Sequence, residues 1–298
     1  MNNFVGIDND KMELERYKKL YPLPRSSYSQ LNSFLSCPHT FYLSYMTGNF
    51  KRNGNKYTEL GSLLHDIFER QGKQLIANPE KPFTEKDAIT LYNRDYFRIS
   101  KHHFEDKEDW HKLYAKGITA IKNYYLAYED SVPLYVEKQF LTEIGEGIPP
   151  IKGFVDRIDG DPNDVETWVL TDYKTGSQPK SKDYLRNDFQ LGIYVAQIYA
   201  LHGKFPKAVE FFHPVPAKAQ TAIHMGDGKY RFTGQREPVV EFTLQETILD
   251  VQAVVMAIGK AVESGKWIKK KDSWGCKNCF HFEECQPFNE QEQGWSNV

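Results

Sequence analysis

"VLTDYKTGS", Val169 to Ser177, begins as an apolar strand and ends on an acid, an aromatic, a base and a turn. Side chains alternate across a strand, so Asp172 and Lys174 share a face with Trp168 and Leu170, while Val169, Thr171 and Tyr173 point the other way. Both faces are apolar upstream, the pattern of a central strand buried on two sides. The acid and the base therefore emerge together at the rim of a buried sheet. Taken alone, the pair reads first as an exposed strand-end ion pair, worth under about 1 kcal/mol, and only second as a functional pair.

The strand before it offers a second acid. In "GFVDRIDG", Asp156 shares a face with Phe154 and Ile158, and if the two strands pair as a hairpin, Asp156 and Asp172 converge. Converging carboxylates repel unless a cation sits between them. Hard oxygen ligands of this kind suit Mg²⁺ or Mn²⁺, which complete their shells with water and substrate phosphate oxygens. Lys174 would then orient an attacking water or offset charge on the pentavalent phosphate. The chemistry indicated is metal-assisted phosphodiester hydrolysis.

Outward from this hairpin, "LYVEKQFLTEI" adds a strand upstream, and "KAVEFFHPV", "TAIHM", "GKYRFTG" and "PVVEFTL" add strands downstream. Helical spacing predicts two short helices broken near Cys37 in "SYSQLNSFLSCPHTFYLSYM", a strong helix "TELGSLLHDIFERQGKQL" with Thr58 as N-cap, and helices over about 84–101, 109–128, 181–202 and 243–264. Gly61, Leu64, His65 and Phe68 lie along one face of the strong helix. The expected fold class is α/β: a central mixed β-sheet flanked by helices, with an N-terminal helical region and a C-terminal cysteine-rich segment. Residues 1–26 read as a polar arm. Residues 27–298 read as one domain with a helical part (27–130), a catalytic core (131–265) and the cysteine-rich segment (266–298), because no repeat or linker divides them.

Composition bounds the function. The 298 residues are 40% hydrophobic and 14% aromatic, enough to bury a core, and the net charge of -2 gives no general attraction to nucleic acid, so any basic surface is local. No leader-like start and no apolar run of about 20 residues is visible, so the chain reads as cytoplasmic, without a membrane partner. In that reducing setting four cysteines read as ligands, catalysts or buried thiols before disulfides.

The ordered set "GSLLHDIFE", "VEKQF", "GFVDRID", "TDYKTG" and "QLGIYVAQI" resembles the motifs of the PD-(D/E)xK nucleases, particularly the RecB-like branch, and "SYSQLNSFLSCPHTFYL" and the terminal cysteines extend the likeness over nearly the whole chain. The resemblance implies a restriction-endonuclease-like core with Asp156 and Asp172 as metal-binding acids and Lys174 as the catalytic lysine. It implies that His65 supplements the metal site, that the Tyr173 carbonyl adds a ligand, and that Glu137 supports the metal through water. Gln190 and Tyr194, one helical turn apart, match the Q-x-x-x-Y motif and would touch substrate, as would Arg157. Val155 stands where the family has a proline before the first acid. The activity implied is a Mg²⁺- or Mn²⁺-dependent deoxyribonuclease, an exonuclease acting on DNA ends or single strands in recombination, repair or DNA processing. A non-catalytic DNA-binding or partner-docking module with the same fold stays open as the alternative.

Cys276, Cys279 and Cys285 form C-x2-C-x5-C, and Cys37 lies far upstream. Four thiolates suit either a [4Fe–4S] cluster or tetrahedral zinc, and His39 and His281 keep zinc open. One N-terminal cysteine with three C-terminal ones resembles the iron–sulfur clasp of bacterial double-strand-break-repair and CRISPR adaptation nucleases, which favours [4Fe–4S]. Basic and aromatic residues interleave in "FKRNGNKY", "KSKDYLR" and "GKWIKKKDSWGCK", a pattern that holds single strands without sequence preference. Lys269, Lys270 and Lys271 would frame a DNA path near Cys37. No phosphate-binding G-x-x-x-x-G-K-[ST] loop is visible, so the expectation is a chain that works alone, as an oligomer, or beside a separate helicase or recombination protein.

Overall fold

The strand read as central is central. In a computed structural model, which describes residues 11–48, 55–99, 104–128, 131–270, 275–276 and 279–285, seven strands form one sheet in the order β1 (Tyr135–Thr142), β2 (Ile151–Asp161), β3 (Asp164–Tyr173), β4 (Ala208–His213), β5 (Lys218–His224), β6 (Lys229–Phe232) and β7 (Glu241–Thr243). Every neighbouring pair is antiparallel except β3 and β4. That parallel step needs a crossover, which α7 (Lys182–Asn187) and α8 (Gln190–His202) supply. Arg157 pairs with Thr171 and Ile158 with Leu170, so extending the β2–β3 register by one residue sets Asp156 opposite Asp172.

The alternation along β3 separates two cores. Trp168 and Leu170 join Leu191, Tyr194, Val195 and Ile198 of α8, whereas Tyr173 packs with α4 (Lys56–Ala77), α5 (Glu85–Tyr96) and α6 (Lys107–Tyr128), its ring against Phe68 and Tyr124. The sheet is therefore flanked by helices on both faces, as expected of its α/β class. Close approach on α8 depends on Gly192, where a Cβ would stand 2.1 Å from Thr247 Oγ1.

Several boundaries differ from expectation for local reasons. The strong helix is capped by Asn55, whose side chain accepts the amides of Tyr57 and Thr58, and Thr58 sits inside the helix as the reciprocal half of a capping box. The predicted helix over 181–202 is two helices, broken where the Asp188 carboxylate accepts the Gln190 amide. The helix expected over 84–101 ends at Tyr96. Part of the expected arm is a helix, α1 (Lys11–Leu20), burying Leu14 and Tyr17 one turn apart.

The chain divides into two compact units, residues 55–145 with 150–250, and residues 1–54 with 146–149 and 251–298. The first holds the sheet and α4–α8. In the second, α1 packs against Met256 of α9 (Leu244–Ser264). There α2 (Tyr28–Ser36) stops at the extended residue Cys37, and Pro38 restarts the chain as α3 (Pro38–Phe41), which runs on into a wider helical turn over Tyr42–Met46. Trp267 stacks on Phe41 and meets Phe34 edge-on. Among the described residues no helix is long and apolar enough to cross a membrane.

Candidate active site

Asp156 and Asp172 come together at the rim of the hairpin, both more than 90% buried. Beyond Arg157 the ladder opens, and the Asp156 carboxylate takes the place of a backbone acceptor: its Oδ2 receives the Tyr173 amide at 2.5 Å. Its Oδ1 lies 3.3 Å from Nδ1 of His65, which α4 carries over the strand ends. Gly61, one turn earlier, lets α4 settle there, since a Cβ would already meet Thr175 Oγ1 at 3.1 Å.

Glu137 completes this cluster from β1, its Oε1 3.9 Å from His65 Nδ1. Its backbone is left-handed, with φ of 47°, in the middle of a strand and opposite Asp156. Strained backbone inside a ladder re-aims a side chain that regular pleating would send elsewhere. One donor atom each from His65, Glu137 and Asp156 lies within 4.8 Å of the others. Burial opposes a charge on His65, but Asp156, Glu137 and Asp172 overcome it and raise the imidazole to about 10. Burial and the charge of Asp172 push Asp156 upward, opposed by His65 and the Tyr173 amide.

Asp172 is held differently. Its Oδ1 accepts Gln190 Nε2 at 2.6 Å and the Tyr194 hydroxyl at 2.9 Å, both from α8. Gln190 also donates to the Tyr194 hydroxyl and accepts from Lys174 Nζ at 2.7 Å. Lys174 lies over the Phe211 ring, 4.9 Å from its centroid, and 2.7 Å from Asp172 Oδ2. That Oδ2 is buried and has no well-directed hydrogen bond among the described residues. A buried carboxylate oxygen that faces the Lys174 ammonium, beside a His–Glu–Asp cluster, is part of a donor set that fits a hard divalent cation.

A sequence profile of the PD-(D/E)XK nuclease superfamily matches residues 25–286. The chain belongs to that superfamily. A solved structure described as "Crystal structure of SSO0001" is similar to this PD-(D/E)XK chain at 14% identity and a TM-score of 0.29, over 74% of this chain and 94% of that one, too loosely to carry an argument. A comparison with curated proteins returned no match.

Within this PD-(D/E)XK chain, Gln190 and Tyr194 turn their polar atoms to Asp172 and Lys174, not to solvent. Arg157, expected to meet substrate, is fully buried: it forks onto Asp159, donates to Ser131 and stacks over Tyr128. It shares its strand with Asp156 but points to the opposite face, so it is an internal ion-pair partner. Lys269 donates to the Cys285 carbonyl and Lys270 to that of Leu35, which ties the segment after α9 to the end of α2 by cationic caps. Lys271 lies outside the described residues.

The four cysteines form no disulfide. Cys276 Sγ lies 3.6 Å from the Lys270 carbonyl, Cys37 Sγ 3.9 Å from that of Ile268, and Cys279 Sγ 3.6 Å from Thr40 Oγ1. Burial raises the Cys285 thiol, Lys269 opposes this, and the charges of Cys37, Cys279 and Cys276 raise it further. His281 is engaged by Ser44 and Glu284 through its two ring nitrogens.

Proposed function

We propose that the chain is a metal-dependent deoxyribonuclease of the RecB-like branch, an exonuclease that hydrolyses phosphodiester bonds at DNA ends or in single strands during recombination, repair or DNA processing. The observation that carries this reading is the buried pair Asp156 and Asp172 on adjacent strands, with Lys174 two residues beyond the second acid. His65, Glu137, Asp156 and Asp172 Oδ2, the last now paired with Lys174, would hold Mg²⁺ or Mn²⁺, which when bound polarises a phosphodiester oxygen and offsets charge in the transition state. His65 can offer Nδ1 only after releasing its proton.

The chain's own groups do the remaining work. Gln190 and Tyr194 fix the rotamer of Asp172, so the acid is pre-set and need not reorganise during reaction. Lys174, held by Gln190 and backed by Phe211, brings a positive charge to the anion that develops on phosphorus. Burial of both acids excludes water and strengthens each contact.

The same reading assigns Cys37, Cys276, Cys279 and Cys285 to a [4Fe–4S] cluster with a structural role, on the spacing of the four cysteines alone, because their sulfurs do not form a ligand group among the described residues. Brown anaerobic protein with broad visible absorption is the expected result; colourless protein with stoichiometric zinc refutes the cluster.

The deciding experiment incubates purified protein and Mn²⁺ with single- and double-stranded DNA labelled separately at the 5′ and 3′ ends. Stepwise shortening from an end is expected. Asp172→Ala abolishes cleavage while DNA binding survives, since single preorganised contacts are worth about 10²–10³ in rate. Full activity in that variant, or in chelator, refutes the assignment, and a protein that binds without cutting is the docking module instead.

A further inference from the structure

Beyond Lys174 the chain loops back over the sheet before α7 begins, and that loop is pinned at one residue. The Lys180 amide donates to Gln220 Oε1 and its carbonyl accepts from Gln220 Nε2, both at 2.9 Å. A side-chain amide that bonds both polar groups of one residue copies a strand pairing, and it fixes which end of the Gln220 amide is oxygen. His213 Nε2 lies 2.9 Å from the same Oε1, so His213 must donate there. His213 is itself fully buried, and burial, with Lys180 and Lys174 nearby, holds its imidazole below the ordinary range. One glutamine on β5 and one histidine on β4 thus hold a single loop residue in place.

The anchor lies in line with the acids. Asp172 pairs with Phe211 across β3 and β4, and Phe211 pairs with Gln220 across β4 and β5. Cross-strand partners share a face. Asp172, the Phe211 ring that backs Lys174, and the Gln220 clamp therefore form one transverse row along the rim.

The Lys180 ammonium has no hydrogen bond or ion pair among the described residues, and the Tyr184 ring lies 4.0 Å below it. Lys180 is half-buried, and burial together with the positive charge of Lys174 lowers its pKa, against the opposing charges of Asp188 and Asp172. An unpaired, desolvated cation beside a second cation is unfavourable until an anion arrives.

We propose that Lys180 is a second phosphate-binding lysine of this site, taking a backbone phosphate of the substrate strand beside the one that Lys174 addresses. The inference rests on the nuclease reading above. Lys174 works inside the acid pair, whereas Lys180 grips the strand from the loop and fixes its register without joining the chemistry.

The test is binding, not cleavage. Fluorescence anisotropy of a labelled single-stranded oligonucleotide is followed in EDTA at 50 to 200 mM salt with wild type, Lys180→Gln, Lys180→Arg and Lys182→Gln. Lys182 is the control, because its ammonium already donates to the Arg236 and Pro238 carbonyls. Loss of one phosphate contact lowers the salt slope by about 0.7, so wild type loses about threefold more affinity over that range than Lys180→Gln does. Lys180→Arg and Lys182→Gln keep the wild-type slope, and all four melt at the same temperature. An unchanged slope in Lys180→Gln overturns the proposal whatever the cleavage assay shows. Wild type that binds with that slope yet never cuts DNA sinks the nuclease reading alone, and wild type that binds no DNA overturns both.

Discussion

Tyr194→Phe separates a tyrosine that touches DNA from one that holds an acid. The hydroxyl donates to Asp172 Oδ1 at 2.9 Å and receives Gln190 Nε2 at 2.9 Å. Burial, then the charges of Asp172 and Asp156, holds the phenol well above its ordinary range, so it stays a donor. The ring is 4% exposed, which leaves no room for water to replace the lost oxygen. A hydrogen bond to a charged group contributes about 1.5–3 kcal/mol, and the lower end, about 1.5–2, applies because Gln190 still holds Oδ1. That corresponds to about ten- to thirtyfold. The loss falls on whatever depends on the set of Asp172, so the Mn²⁺ concentration for half-maximal cleavage rises by this factor while metal-free DNA affinity stays within twofold. The assay pairs hydrolysis of a labelled oligonucleotide over a Mn²⁺ titration with anisotropy in EDTA. Gln190→Ala in the same background shows more than the sum of the single losses, because each group still holds the oxygen when the other is removed. Unchanged metal dependence with weakened DNA binding would mean that the hydroxyl faces the strand, and the argument fails.

Arg157→Ala strands Asp159 and loses the stack on Tyr128, so chemical denaturation shows a loss of about 3–5 kcal/mol, while DNA affinity of the folded fraction is unchanged. The α5 cap supplies a pH test: the Thr84 hydroxyl and amide hold Asp87 below its ordinary range. A folded-state value below the unfolded one gives stability that is present above the unfolded value, about 4, and is lost as pH falls through the folded value. The stability gap between wild type and Asp87→Asn in urea titrations is therefore constant from pH 5 to 7 and closes below pH 4.

The acid pair was legible because it depends on the two most local rules of sheets, alternation and hairpin pairing. The same alternation places Arg157 on the far face from Asp156, and its adjacency in sequence to the acid obscured that. Asn55 and Thr58 could each cap the helix, and only the reciprocal hydrogen bonds decide between them. The break in 181–202 follows from one Asp188 contact, which helical periodicity does not register. His65 on an apolar helix face carries no signal of its own, and the family motifs supplied it. The clamp on Lys180 joins residues 40 apart in sequence, and no local pattern announces it.

Glu137 has a longer-term consequence. A left-handed non-glycine residue costs about 1–2 kcal/mol, and glycine or asparagine would relax it. Variants selected for heat resistance alone should gather one of those two residues at position 137 and discard the carboxylate in doing so. If the proposed metal site holds, endurance and activity pull apart at this position, and a family of thermally hardened descendants would share a loss of metal affinity.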